Sequence, residues 1–156
     1  MAEVAMDTRA FVQRETPASI AAETLFARRL EKALRCDLKK LGGSYSPDFL
    51  ALRNNKGVAW IELKCRLKDN WDKYPTYMIA VKKWEKCLTL AQTPNISLPW
   101  CLAVAAADGD YFLNVAKIPS DTQLEISMGG RSDRNWSEDI EPCVYIPKHL
   151  FKKVPA

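Results

Sequence analysis

Three side chains in the first half of this chain have the types and spacing to act on one phosphate. Asp48, preceded by Pro47, is followed on the next extended segment by Glu62-Leu63-Lys64. Two carboxylates supply hard oxygen ligands for a magnesium ion, which keeps several waters of its own. Lys64 stands two residues from Glu62, so on a strand both point to the same face. From there the ammonium can orient or help deprotonate an attacking water and offset phosphate charge.

The elements around these residues must bring them together. Ser44 to Asn54 and Val58 to Arg66 read as the two strands of a hairpin joined by Asn55-Lys56-Gly57. Three-residue loops commonly pair a type I turn with a left-handed third residue, which suits Gly57. In that register Asn54 faces Val58 and Asp48 lies directly opposite Lys64. Opposed residues share a face, so Asp48, Glu62 and Lys64 converge, whereas a slip of one residue would turn Asp48 away.

Upstream, Thr16-Pro17 reads as a helix start, with threonine as cap and proline in the first turn. The pattern predicts a helix to about Leu41, stopped by Gly42-Gly43. At 100° per residue Ile20, Phe26, Ala27, Leu30, Ala33, Leu34, Leu38 and Leu41 share an apolar face, with Arg28, Arg29, Lys32, Arg35, Lys39 and Lys40 opposite. Glu23 falls near the middle of the apolar face, while Glu31 lies about 80° off its centre and can reach solvent. A carboxylate aimed at a core is costly unless paired or bound to metal. Glu23 is therefore either a fourth site residue or a group at an uncovered helix end that favours the dipole.

Residues 67 to 76 read as a polar, aromatic loop at the edge of the site. Trp71, Tyr74 and Tyr77 could stack on unpaired bases or pin that loop to the core. A second helix covers about Val81 to Gln92, with Tyr77 to Ala80 either joining it or leading in as extended chain. Trp100 to Ala107, nearly all apolar, suits a strand buried on both faces, and Tyr111 to Ile118 follows as another. Residues 119–142 read as a long irregular stretch, with a short final strand at Val144 to Ile146. Gly129-Gly130-Arg131 could hold phosphate but is ordinary turn chemistry as well.

The bulk properties suit one globular domain over residues 16–156, preceded by a loose tail at 1–15. Hydrophobic residues make up 47% and the net charge is +4, which permits an anionic partner without demanding one. Five scattered cysteines and a lone His149 disfavour a zinc site or a disulfide framework, so a reducing cytoplasm fits. No apolar run reaches membrane-spanning length, and residues 1–15 lack the apolar stretch of a signal peptide.

A helix with an inward glutamate, a hairpin carrying Pro-Asp and Glu-x-Lys, a second helix and a buried strand resemble the core of the PD-(D/E)XK nuclease superfamily. The resemblance spans roughly residues 17–107, and the Ser-Pro-Asp-Phe and Ile-Glu-Leu-Lys strings are similar to those of small phage-type and junction-resolving endonucleases. It implies an α/β fold, a restriction-endonuclease-like αβββαβ core whose mixed central sheet is flanked by helices. Asp48 and Glu62 match the metal-binding acids, Lys64 the catalytic lysine and Glu23 the first-helix acid. The cofactor implied is Mg2+ or Mn2+, and the activity is hydrolysis of DNA phosphodiesters in DNA processing, recombination or repair. Lys82 or Lys83 occupies a place where some members carry a Gln or Lys that contacts the site. Lys68, Lys82, Lys83, Trp71 and Arg131 are the residues expected against nucleic acid. A homodimer, and the cytoplasm of a host cell for a phage-encoded chain, agree with the resemblance. A catalytically weak nucleic-acid-binding or assembly module is the alternative, against which an intact Asp48, Glu62 and Lys64 argue.

Overall fold

The computed structural model describes residues 16–43, 46–130 and 140–155. The first helix, Pro17–Leu34, opens as expected. The Thr16 hydroxyl accepts the Ser19 N–H at 3.0 Å, and the Ser19 hydroxyl accepts the Thr16 N–H at 2.9 Å, a reciprocal cap. Its end is earlier than the glycine pair predicts. Arg35 turns left-handed at φ 51°, and Asp37–Lys40 becomes an edge strand, β1. Two side chains make this possible, one from elsewhere in the fold and one from the helix itself. Arg53 donates to the carbonyls of Leu34 (2.7 Å) and Arg35 (3.1 Å), satisfying acceptors a helix terminus leaves open. Glu31, expected in solvent, accepts the Leu38 N–H at 2.9 Å and anchors the first turn of chain beyond the helix.

β2 (Phe49–Arg53) and β3 (Lys56–Arg66) form the hairpin in a different register. The turn is two residues, Asn54 and Asn55, both left-handed at φ 50° and 63°, as a type I′ turn requires. Gly57 instead sits in the ladder opposite Leu52, where a Cβ would come 3.2 Å from a Leu98 methyl. A bulge between Ala51 and Leu52 then brings Phe49 opposite Ile61. One residue further, Asp48 meets Glu62 rather than Lys64. Next to the turn the pairing differs from the expected one by three residues, but beyond the bulge it differs by two, an even number, so Asp48, Glu62 and Lys64 keep a common face. Tyr77 to Ala80 is extended chain within β4 (Thr76–Ala80), which leads straight into the second helix, Val81–Ala91. The buried strand is β5, Trp100–Ala106, followed by β6 at Gly109–Asn114.

Residues 119–142 are more regular than their composition suggests. They hold β7 (Glu125–Gly130) and the start of β8 (Ile140–Pro147), and a two-residue β9 (Lys152–Lys153) ends the described strands. Gly129 admits the Tyr145 hydroxyl and the Met78 sulfur so closely that any Cβ would collide with both. Residues 1–15, Ser44, Tyr45 and Arg131, on which expectations were placed, lie outside the described residues.

Six strands form a mixed sheet in the order β1-β2-β3-β5-β6-β9, with β3 and β5 parallel; β4-β8-β7 form a smaller antiparallel sheet. β5 is buried along its whole length because it serves two cores. Cys101, Ala103 and Ala105 face Phe26, Ala27 and Leu30 of the first helix, beside Ile61 and Leu63. Trp100, Leu102 and Val104 face the other way, toward Ile79, Cys87 and Ile146. Alternation along β3 therefore sends Leu63 to the first helix and Glu62 to the second.

Candidate active site

Among the described residues Glu62 is the buried polar side chain, 0% exposed. One oxygen, Oε2, accepts from Lys83 Nζ at 2.5 Å and lies 3.8 Å from Lys64 Nζ. The other, Oε1, is buried without a hydrogen-bond partner among the described residues. Asp48, half-buried, orients itself by accepting the Leu63 N–H through Oδ2 at 3.0 Å. That backbone bond is a consequence of the observed register, which ends the β2 ladder just where Asp48 begins. Lys64, on the same strand face as Glu62, is 34% exposed.

Lys83 reaches the site from the first turn of the second helix, whose start is set by the β4 strand directly before it. Of the two adjacent lysines, Lys83 turns inward to Glu62 and Lys82 stays exposed. The helix dipole adds positive potential at this end, where the carboxylates lie.

The electrostatics follow from burial and from four charges in contact. Burial pushes the Glu62 carboxyl up from its ordinary range, and the Asp48 charge adds to this, against the pull of Lys83 and Lys64. Burial pulls the Lys64 ammonium down, and the Lys83 charge pulls it further, against Glu62 and Asp48. Burial alone would lower Lys83 too, but the charge and hydrogen bond of Glu62 outweigh it and hold Lys83 protonated. The resulting set is a fixed cation–anion pair, a second carboxylate, and a lysine readier than usual to shed its proton.

Glu62 Oε1 carries the test of whether a cation fits. A buried carboxylate oxygen left unpaired costs free energy, and a hard cation is the partner such an oxygen takes. Among the described residues no group of three or more His, Cys, Asp or Glu converges. Magnesium does not need three protein ligands, since one or two carboxylates with waters suffice. Asp48 and Glu62 meet that requirement.

The remaining candidates fall elsewhere. Glu23 lies on the helix that packs the Leu63 face, and its carboxylate pairs with Lys40 of β1, whose ammonium sits 5.3 Å from the Phe49 ring centre. That pairing accounts for an acid on an apolar helix face. Glu23 also adds negative potential at Cys65, which faces away from Glu62 as expected. Trp71 is pinned. It stacks on Tyr111 at 4.4 Å, meets Phe151 edge-on at 4.9 Å, and is thus a wall of the core instead of a free base platform. Lys68 is exposed in the turn after β3. Lys82 lines a broad open cavity of about 590 Å3 with Ser46, Trp60 and Lys86. Lys83 as the partner of Glu62 was legible only as one of two adjacent lysines, and helix phase relative to the sheet decides between them.

Among curated proteins no sequence matches the chain significantly. The solved structure of Hjc from Archaeoglobus fulgidus, a Holliday junction resolvase from an archaeal hyperthermophile, is similar in fold. The match has a TM-score of 0.52 at 19% identity, covering 85% of this chain and 91% of that one. A family model described as phage putative PDDEXK endonuclease matches residues 10–154, nearly the whole sequence, and the chain belongs to that family.

Proposed function

We propose that this protein is a metal-dependent deoxyribonuclease that hydrolyses DNA phosphodiester bonds in DNA processing, recombination or repair. The observation that carries the reading is the fully buried Glu62, with one oxygen held by Lys83 and the other unpaired beside Asp48. Family membership and the resolvase-like fold support it. Asp48 and Glu62 would hold Mg2+ or Mn2+, which when bound supplies Lewis-acid polarisation of the phosphate and a more acidic water.

The chain's own residues do the rest. Lys83 neutralises Glu62 through Oε2 and fixes its orientation. Lys64, lowered by burial and by Lys83, accepts a proton from the attacking water or donates hydrogen bonds to the developing charge on phosphate. Asp48 is held by the Leu63 N–H through Oδ2, and Oδ1 would ligate the cation. Glu23 has a supporting part, through Lys40 and the β1 edge of the site.

The test is cleavage of linear, single-stranded, nicked and four-way-junction DNA with magnesium or manganese, with and without chelator. Cation-dependent cutting that Asp48→Ala and Glu62→Ala each abolish is the expected result. Lys64→Ala should lose several orders of magnitude in rate while Glu23→Ala loses much less. Binding to DNA without cutting any of these substrates would favour the binding-module reading instead.

A further inference from the structure

The β3 face that carries Glu62 and Lys64 continues past them. Arg66 follows Lys64 by two residues, roughly 6.6 Å further along the strand on the same face. Beside it opens a second cavity of about 420 Å3, separate from the cavity at Lys82. Val104 and Ala106, the β5 partners of Lys64 and Arg66, both line it. The cavity thus adjoins the catalytic residues along the strand pair that positions them.

Its lining is aromatic with cations at the rim. Trp71 is immobilised, stacked on Tyr111 and with its carbonyl accepting from Lys148 at 2.5 Å. Tyr74 contrasts with it. This residue is 57% exposed, belongs to no ring–ring pair among the described residues, and has Lys73 and Lys148 at 5.4 and 5.9 Å from its ring centre. A large exposed aromatic ring that lines a cavity with Arg66, and has two lysines near it, can offer a face for stacking.

We propose that this cavity receives one nucleobase swung out of the strand whose phosphate lies at Lys64, with the base stacked on Tyr74. The proposal rests on the nuclease reading above and adds a preference for DNA that carries an unpaired nucleotide next to the cut. The volume lies at the lower end of the range for small-ligand pockets and suits one nucleotide. Every base offers a π-face, so the stacking is tolerant of sequence. Arg66 and Lys148 supply positive charge for the adjoining backbone, with Asp69 also in the lining and Asp69, Asp72 and Asp108 acting on Lys148. A paired base cannot enter without unstacking, whereas an unpaired one enters at little cost.

The experiment compares affinities for a fully paired duplex and for the same duplex with a single unpaired 2-aminopurine, with calcium replacing magnesium. Wild-type protein should prefer the bulged duplex and quench the 2-aminopurine fluorescence. Tyr74→Ala should reduce that preference by about tenfold and abolish quenching, and Tyr74→Phe should restore both. An unchanged preference in Tyr74→Ala, or fluorescence that wild-type protein leaves unaltered, overturns the pocket assignment. The two readings fail separately. If the nuclease assignment is wrong, no cation supports cutting even though the Tyr74-dependent quenching persists. If only the pocket is wrong, wild-type protein and Tyr74→Ala cut both duplexes with the same ratio of rates.

Discussion

Glu62, Asp48, Lys64 and Lys83 form a set in which each charge is explained by the others. Glu62 is tolerable in the core because Lys83 meets one of its oxygens, and the carboxylates raise the Lys64 pKa by less than burial and Lys83 lower it. A lysine with a lowered pKa is protonated and inactive as a base below that pKa, and becomes neutral as pH rises through it. The cleavage rate should therefore climb with pH and level off below the range, near 10.4, where an ordinary lysine titrates. Lys83→Met removes a charge that lowers Lys64, so the rising limb should move to higher pH in a pH–rate profile. A limb that stays in place or moves down would disprove Lys64 as the titrating group. The common face of Asp48, Glu62 and Lys64 was legible in the sequence because strand alternation needs only an even register to hold, and beyond the bulge the true pairing differs from the expected one by an even step. Glu31 was not legible. Its partner, the Leu38 N–H, lies in a segment that helical periodicity assigns to the helix itself. Glu31→Ala should cost about 1–3 kcal/mol in urea unfolding, by leaving that N–H unsatisfied.

At the scale of elements, the chain between Leu34 and Phe49 shows how tertiary contacts override local signals. Leu38 and Leu41 continue the apolar phase of the first helix, and Gly42-Gly43 looks like its terminus. Asp37–Lys40 nevertheless pairs with β2, because Arg53 from that strand caps the helix seven residues earlier than expected. Arg53→Ala should destabilise the fold by about 1 kcal/mol and lower the amide-exchange protection of Leu34, Arg35 and the β1 strand. Protection unchanged across those residues would show that the cap is dispensable. Leu30, fully buried between this helix and the sheet, should cost about 2–5 kcal/mol when cut to alanine. β7 was hidden for a different reason. Its Glu-Ile-Ser-Met-Gly-Gly sequence is exposed along nearly its whole length and ends in two glycines, so it lacks the half-buried alternation by which strands are recognised. It is a strand because β8 pairs with it, and Gly129 is needed where Tyr145 and Met78 press against its backbone.

For the whole molecule, the order of helix, hairpin, helix and buried strand was readable from motif placement, turn residues and the apolar run of β5, whereas the third strand of the first half, β1, was implied by the family resemblance alone. The second sheet was not readable, since β4, β7 and β8 come from separate parts of the chain and find one another only in three dimensions. The sheet separates two cores, so that Glu62 and Lys64 face the second helix while Glu23 sits with the first. Arg66 and Lys148 line one cavity, Lys82 and Lys86 the other, and Lys64 lies 3.8 Å from Glu62. Affinity for DNA should accordingly fall steeply with salt, and an affinity that is equal at 50 and 200 mM salt would be at odds with a groove that tracks phosphates. The central claim, that Asp48 and Glu62 together hold the cation, is tested most directly by titrating Mn2+ into the DNA-free protein and counting the bound ion by electron paramagnetic resonance. Wild-type protein and Lys64→Ala should bind Mn2+ with similar affinity, and Asp48→Asn should lose that binding. Unimpaired Mn2+ binding in Asp48→Asn would contradict the assignment.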